Sequence, residues 1–433
     1  MVNFSYKKSQ TYNIFLLGDG IVEDALRIKI LQSKKLKKLY TVLDFYRDSN
    51  LKKDYYTFLT NISQEEINKL VLFAKEKNID IVICDCFYNS KGLINAFKSV
   101  GIKAIGVNKR WSKLETFKTI GKKFMQLNNI KTAKYIVVET FEEFKANLEK
   151  FKFPLVVKAN GPAAGLGVYI CEDEEQAINA FEKLKSGDTY PAQKTIIIEE
   201  YINGREFVIV SLWDGKTLCP LLPMKDYKLL LEGNKGPNTG SMGTYFPLHI
   251  PVQYQNYMEE YLRQLQKALR RYKADFCGAV YSALMVNDKG IHCLEYNMRV
   301  GMPEGTLLSL LMRNDIVEIM KAMVNQKLSH IKVEWEEGMA ACINIVSKNY
   351  PYVIKQKLEA NVSAIEKLKK SGINVFKSPN ICESDDKITK NGSFFLCLAK
   401  SSENPIEEIY EQIESINFSE NFTNCQYRKD IGY

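Results

Sequence analysis

Residues Lys235–Pro247 read KGPNTGSMGTYFP. Three glycines, two prolines and an Asn fall within thirteen residues. Proline removes a backbone donor and glycine costs conformational entropy, so the mixture suits neither a helix nor a central strand. It predicts a loop rich in backbone donors and small side chains. In isolation a surface turn would explain it. The elements on either side give it another meaning.

Upstream, EFVIVSLWDGKTLCPLLPM (Glu206–Met224) predicts two strands joined about Asp214-Gly215. Downstream, a helix over roughly Gln255–Ala274 precedes a second hairpin: GAVYSALMVN, the turn DKG, then IHCLEYNMR. FPLVVKA (Phe153–Ala159) and TIIIEEY (Thr195–Tyr201) read as further strands. The first hundred residues differ in character. Tyr12–Gly18 reads as a buried strand, Glu23–Gln32 as a helix and Lys38–Phe45 as a second strand. Ser63 and Glu66 make a capping box before INKLVLFAKEK. Strand Ile79–Cys86, helix GLINAFKSVG and strand Lys103–Val107 follow. That alternation predicts a doubly wound parallel sheet. A second capping box, Ser112 with Glu115, opens a helix through LETFKTIGKKFMQL. A strand at MAACINIVS begins the last segment. The expected organisation is a multidomain α/β and α+β chain: an N-terminal α/β domain over 1–110, a central domain over 111–337 and a C-terminal α+β domain over 338–433.

The 433 residues suffice for several domains, and 45% hydrophobic with 26% charged content is ordinary globular composition. No apolar run reaches eighteen residues, so nothing is expected to span a membrane. Ten cysteines form no CxxC pair and three histidines are present, which argues against a zinc site or disulfide framework and for a cytoplasmic setting. The +9 net charge comes from lysines spread along the chain. A solvated surface explains it better than nucleic-acid binding, and a modest excess also suits phosphorylated substrates.

Three stretches could carry chemistry. ANGPAAGLGV (Ala159–Val168) follows a strand ending in Lys158. Its glycines, Gly165 and Gly167 among them, let backbone N–H groups approach an anion, and the lysine adds a point charge. A plain turn would read the same way. In CLEYNMRVG (Cys293–Gly301), strand alternation puts Glu295, Asn297 and Arg299 on one face and Leu294, Tyr296 and Met298 on the other. A carboxylate, an amide oxygen and a guanidinium in a row suit Mg²⁺ beside phosphates. An exposed polar face suits the pattern too. In IIIEEYINGREF, Glu199, Glu200 and Glu206 could meet ribose hydroxyls, or could be solvated acids of a hairpin.

Their order is more specific than any part: a helix lysine (Lys118), a strand lysine (Lys158), a glycine loop, a strand ending EEY, then E-x-N. This resembles the ATP-grasp enzymes. Within them KDYKLLLEGNKGPNTGSMGTYFP (Lys225–Pro247) is similar to the glycinamide ribonucleotide synthetase signature D-H-K-R, then G-P-N-T-G-G-M-G-x-Y-x-P. LETFKTIGKKFM resembles L-E-x-S-K-x-x-x-K-x-F-M, PLVVKANGPAAGLGV resembles P-x-V-V-K-A-D-G-L-A-A-G-K-G-V, and LEYNMRVGMPE resembles I-E-F-N-x-R-F-G-D-P-E. YRKDIG matches the family terminus, so the resemblance covers nearly the whole chain.

The resemblance implies an ATP-grasp fold with a lid subdomain over about 132–199, and a carboxylate–amine ligase working through an acyl phosphate. It implies ATP with Mg²⁺, or Mn²⁺ in its place. Lys118 and Lys158 would hold phosphates, with Gly165 and Gly167 in the covering loop. Glu199, Glu200 and Glu206 would surround the nucleotide hinge and ribose. Glu295 and Asn297 would bind the metal, and Arg299 would face the phosphates. Asp226, Lys228, Asn238, Thr239 and Gly240 would line the substrate chemistry. The partners would be a small, glycine-like amino acid and a small amine, in a monomer or homodimer.

The departures cluster. The family's G-x-G-G-R-E-H-A is GDGIVEDAL here, G-P-E-x-P-L is CDCFYNS, D-H-K-R is DYKL, G-K-G-V is GLGV with Leu166 for the lysine, G-D-P-E is GMPE, and a late G-G-R is Asn391-Gly392-Ser393. Nucleotide and metal groups persist while basic side chains for the amine substrate are lost. The expectation is therefore an altered amine acceptor. The alternatives are an authentic glycinamide ribonucleotide synthetase and a nucleotide-binding protein without turnover.

Overall fold

The computed structural model describes residues 11–18, 20–49, 62–84, 91–161, 163, 167–187, 191–248, 250–352 and 356–433. Strands β1 (Tyr12–Leu16), β2 (Leu36–Thr41), β3 (Ile81–Ile83) and β4 (Lys103–Ile105) form a parallel sheet in the order β2-β1-β3-β4. All five residues of β1 are buried, as a strand covered on both faces requires. Phe15 packs with Phe45, Leu70 and Phe73 on one side. Ile14 and Leu16 meet Val317 and Met320 on the other, so a helix from far along the chain, Ile316–Val324, covers that face. The Ser63–Glu66 capping box forms and opens the helix Gln64–Glu76. The second strand ends at Thr41, short of the expected Phe45, because Asp44 accepts the Thr41 N–H (2.8 Å) and hydroxyl (3.1 Å) and turns the chain into the helix Val42–Ser49. Asp85 and Cys86, at the end of the third expected strand, lie outside the described residues.

The Ser112–Glu115 box does not form. Ser112 has helical dihedrals and no capping bond, and only one turn, Lys113–Thr116, follows before Phe117 breaks to extended backbone. Glu115 is diverted to Arg299. The next helix, Lys118–Leu127, is capped from outside: Asn160 accepts the Lys118 N–H through its carbonyl and the Thr119 N–H through Oδ1, both at 2.9 Å.

Strands β5 (Tyr135–Val138), β6 (Leu155–Ala159), β7 (Val168–Cys171) and β8 (Ile196–Glu200) form an antiparallel sheet in the order β5-β8-β6-β7, backed by the helices Phe141–Leu148 and Glu174–Ser186 about Phe144 and Phe181. The chain then runs through β9 (Arg205–Trp213), β10 (Leu218–Asp226), β11 (Leu229–Leu231), β12 (Lys235–Asn238), β13 (Gly243–Phe246), β14 (Gly278–Asn287) and β15 (Gly290–Asn297). The helix Val252–Arg271 buries Met258, Tyr261, Leu265 and Leu269, one stripe at helical spacing, against this layer. Last come β16 (Met339–Ser347), β17 (Lys357–Asn361), β18 (Asn374–Lys377), β19 (Cys382–Glu383), β20 (Lys387–Asn391) and β21 (Phe394–Ser402).

One sheet continues in the order β15-β14-β9-β10-β13-β16-β21-β18. The sequence KGPNTGSMGTYFP is therefore not all loop. Lys235–Asn238 pairs with β11, and Gly243–Phe246 is a strand between β10 and β16, against the expectation that no central strand would tolerate this composition. The reason lies at Gly243, where a Cβ would collide with the Cys342 carbonyl oxygen. The glycine permits the close backbone approach that seats the strand. Gly243→Ala should destabilise the protein by about 1–3 kcal/mol, the usual cost of overpacking. Chemical denaturation checks this, and an unchanged midpoint would refute it.

Candidate active site

The strand β15 does not alternate as its sequence suggests. Ala283 pairs with Glu295 and Leu284 with Cys293, leaving Leu294 as an extra residue. This bulge resets the facing. Cys293, Tyr296 and Met298 share one core, while Leu294 packs with Val208, Tyr281 and Ala283 on the other side. The expectation that Leu294 lies beside Tyr296 and Met298 is corrected. Without the bulge, the residue two after buried Cys293 would enter that same core. With it, Glu295 turns to the opposite face, where Asn297 and Arg299 follow.

Lysines converge on that face. Lys118 Nζ lies 3.8 Å from Glu295 Oε2. Burial disfavours the Glu295 charge, but Lys118, Lys158, Lys228 and Lys122 together hold its carboxyl below the usual range. Behind it, Lys158 and Lys122 both pair with Glu199, and all three are buried. Burial lowers both lysines, Lys158 to about 8; at Lys122 the Lys158 charge adds to the effect. Lys122 also donates to Thr132 Oγ1 (2.7 Å), whose hydroxyl donates to the Cys293 carbonyl (2.7 Å). Glu115 fixes Arg299 through Nε (3.0 Å) and accepts the Met298 N–H (2.8 Å). Glu206 is pushed up to about 7 by burial, with Asp226 and Glu295 adding to it against Lys228 and Lys158. Glu200 accepts the Lys134 N–H at 2.8 Å through Oε1.

A second cluster adjoins. Lys228 pairs with Asp226, and Tyr281 Oη lies 3.3 Å from both Lys228 Nζ and Asp226 Oδ2. Burial works against the Lys228 charge, yet Asp226, Tyr281, Glu206 and Glu304 raise its pKa well above the ordinary value. Asp226 Oδ1 and both carboxyl oxygens of Glu304 are buried with no hydrogen-bond partner among the described residues. Thr239 is buried, and its N–H and hydroxyl both donate to the Lys228 carbonyl at 2.7 Å. The Gly240 N–H donates to Tyr350 Oη (2.7 Å). Asn238 ends β12, opposite Leu229.

The structure thus gathers Lys118, Lys158, Glu199, Glu206, Asp226, Lys228 and Glu295 into one charged network, with Asn297 and Arg299 on the same face. Gly165 and Leu166 lie outside the described residues. Gly167 is required sterically, since its Cβ would stand 2.5 Å from Ala163 Cβ and 2.8 Å from Ala159 Cβ. Lys122, Glu115 and Glu304 went unassigned in the sequence. A signal existed for each, since all three stand at matched positions of the quoted motifs. Glu295 and Asn297 offer a carboxylate and an amide oxygen, a pair that fits Mg²⁺ whose remaining ligands come from phosphates and water.

Burial raises the Glu304 pKa from 4.5 to about 8, with the Asp226 charge adding to it. The folded carboxyl therefore binds its proton more tightly than the unfolded one. The stability it contributes is full below about 4.5 and is lost as pH rises through about 8. Glu304→Gln should flatten the fall in thermal stability across that window. An unaltered pH profile would count against a buried, proton-holding Glu304.

The chain matches the family model described as phosphoribosylglycinamide synthetase, N domain, over residues 12–115, and the ATP-grasp (A) domain of the same family over 116–305. It is 34% identical over 425 residues to the phosphoribosylamine–glycine ligase of Clostridium acetobutylicum, covering 97% of this chain and 99% of that one. It is 30% identical over 428 residues to the Fusobacterium nucleatum ligase of the same name, covering 97% and 98%. The crystal structure of the Thermotoga maritima phosphoribosylamine–glycine ligase aligns with a TM-score of 0.75 at 25% identity, over 97% of this chain and 100% of that one. The biotin carboxylase domain of Hydrogenobacter thermophilus 2-oxoglutarate carboxylase, solved with MgADP, shares the fold at TM-score 0.65 and 14% identity, over 96% and 92%. These relatives set aside a binding protein without turnover: the chain belongs to the phosphoribosylglycinamide synthetase family and is an ATP-grasp ligase that forms C–N bonds.

Proposed function

We propose that this ligase joins glycine to 5-phosphoribosylamine with ATP and Mg²⁺. The similarity to phosphoribosylamine–glycine ligases over 97% of the chain carries the reading. The glycine carboxylate attacks the γ-phosphate, giving an acyl phosphate and ADP. The amine then attacks the acyl carbon, phosphate leaves and the amide forms. The protein positions the reactants and neutralises charge. Lys118 and Lys158 hold phosphate oxygens, the former by exchanging its contact with Glu295 for the nucleotide. Glu295 and Asn297 would hold Mg²⁺, which would supply charge neutralisation at the transferred phosphoryl group; Mn²⁺ would suit the same two oxygens. Arg299, aimed by Glu115, faces the phosphates, and Glu206 faces the ribose. Asp226, Lys228 and the Asn238–Gly240 turn line the amino-acid side, with Thr239 acting through its hold on Lys228. No helix among the described residues is long and apolar enough to cross a membrane, and no two of the described cysteines form a disulfide, which suits a cytoplasmic enzyme.

One observation favours the second reading, an altered acceptor, although the relatives' names lend it no support. Where the family it resembles has Arg and His, this chain has Val22 and Asp24. Asp24 pairs with Arg27 at 2.7 Å and accepts the Lys377 N–H at 3.2 Å. Glu23 folds back, so that a Cβ at Gly20 would stand 2.5 Å from Glu23 Oε2. Glu23 matches the family's own glutamate, so the change is at Asp24: one carboxylate stands where the resemblance places a histidine near a substrate phosphate. A lost charge-assisted bond there weakens binding by about tenfold per 1.4 kcal/mol.

The test supplies ATP, Mg²⁺, glycine and freshly generated phosphoribosylamine, and seeks glycinamide ribonucleotide by mass. Efficient formation carries the first reading. Amino-acid-dependent ADP release without that product turns to the second. Glu295→Ala should abolish ADP formation in either case, and normal turnover would overturn the metal assignment. Residues 132–199, as a lid, should exchange backbone hydrogens more slowly when ATP is added. Unchanged exchange at saturating nucleotide would count against closure.

A further inference from the structure

Arg428 stands near the C-terminal end, far in sequence from every residue assigned above, and its side chain is 0% exposed. A buried guanidinium is costly unless its donors are matched. Here they are. Nη1 donates to the Leu229 carbonyl (2.7 Å), Nη2 to Asn234 Oδ1 (2.8 Å) and Asp430 Oδ2 (3.0 Å), and Nε to Asp430 Oδ1. The plane lies over the Tyr227 ring, 4.9 Å from its centroid. Asp430 Oδ2 also accepts the Gly233 N–H at 2.8 Å, and Tyr227 Oη accepts the Gly432 N–H at 2.9 Å.

These contacts grip the β11–β12 hairpin at its start, Leu229, and at its turn, Gly233-Asn234. The hairpin runs directly into Asn238, Thr239 and Gly240, and Thr239 bonds back to Lys228. Its register therefore passes to the turn on the amino-acid side of the site. The family likeness supplies no role for this arginine. A lysine could satisfy one of these acceptors but not the fork of carbonyl, amide and carboxylate.

We propose that Arg428 is a positioning residue: by fixing the hairpin it sets the approach of Asn238–Gly240 to the amino-acid carboxylate, without touching substrate. The inference rests on the proposed use of glycine. ADP release is measured against glycine and against ATP for the wild type, Arg428→Ala, Arg428→Lys and Asn234→Gly. Asn234 has φ 54°, so glycine keeps the turn and deletes only the acceptor. Arg428→Ala should raise the glycine KM at least tenfold with the ATP KM within twofold, and Arg428→Lys should recover part of the loss. Asn234→Gly should raise the glycine KM several-fold at unchanged Tm, which keeps the proposal testable if Arg428→Ala does not fold. Backbone hydrogen exchange over 229–240 should quicken in Arg428→Lys, a reading independent of turnover. Wild-type glycine KM in both Arg428→Lys and Asn234→Gly, or unchanged exchange over 229–240, would overturn the role. Absence of glycine-dependent ADP release from the wild type would overturn the function reading instead, with the exchange result still deciding the arginine.

Discussion

One buried carboxylate, Glu199, shared between the ammonium groups of Lys122 and Lys158, is the constraint on which the site depends. Lys122 comes from the helix Lys118–Leu127, Lys158 from β6 and Glu199 from β8. Two buried lysines share this one carboxylate out of water. Burial alone would discharge a lysine, and the depressed pKa values of both show that pressure. The same arrangement fixes geometry, since Lys122 reaches Thr132 and Thr132 reaches the Cys293 carbonyl, one residue before the bulge that turns Glu295 outward.

Much of this was legible because it is local. Strand–helix alternation predicts the parallel sheet, the Ser63–Glu66 box forms as written, and both hairpins turn where Asp214-Gly215 and the DKG stretch place them. The lysines and the E-x-N pair were legible through their order. What failed to show depends on partners distant in sequence. Ser112 and Glu115 have the spacing of a cap, but Arg299 and the Met298 N–H take the carboxylate. The facing of Leu294 is set by the register of β14, which no alternation within β15 reveals. Asp44 ends β2 early because a side chain close by can satisfy backbone that a strand would otherwise pair.

The stretch Lys235–Pro247 illustrates both sides. Its composition marks a place where backbone must come close to something. That something is the β16 backbone, against which Gly243 fits, and, in the function proposed above, the substrate as well. Composition alone does not distinguish the two, because a glycine serves a ligand and a neighbouring strand by the same property, the missing Cβ.

The β13 strand has a mechanical consequence. Because it bridges β10 to β16, a ladder of hydrogen bonds joins the metal-type strand β15 to the C-terminal strands without interruption. Region 205–433 therefore acts as an anvil. The antiparallel sheet of 135–200 is the hammer, tethered by short crossings around 130–134 and 201–204 and resting on the helix it caps through Asn160. In the closure proposed above, a stroke of that hammer would leave the Asn238–Gly240 turn undisturbed, and nucleotide would exchange while that turn keeps its shape.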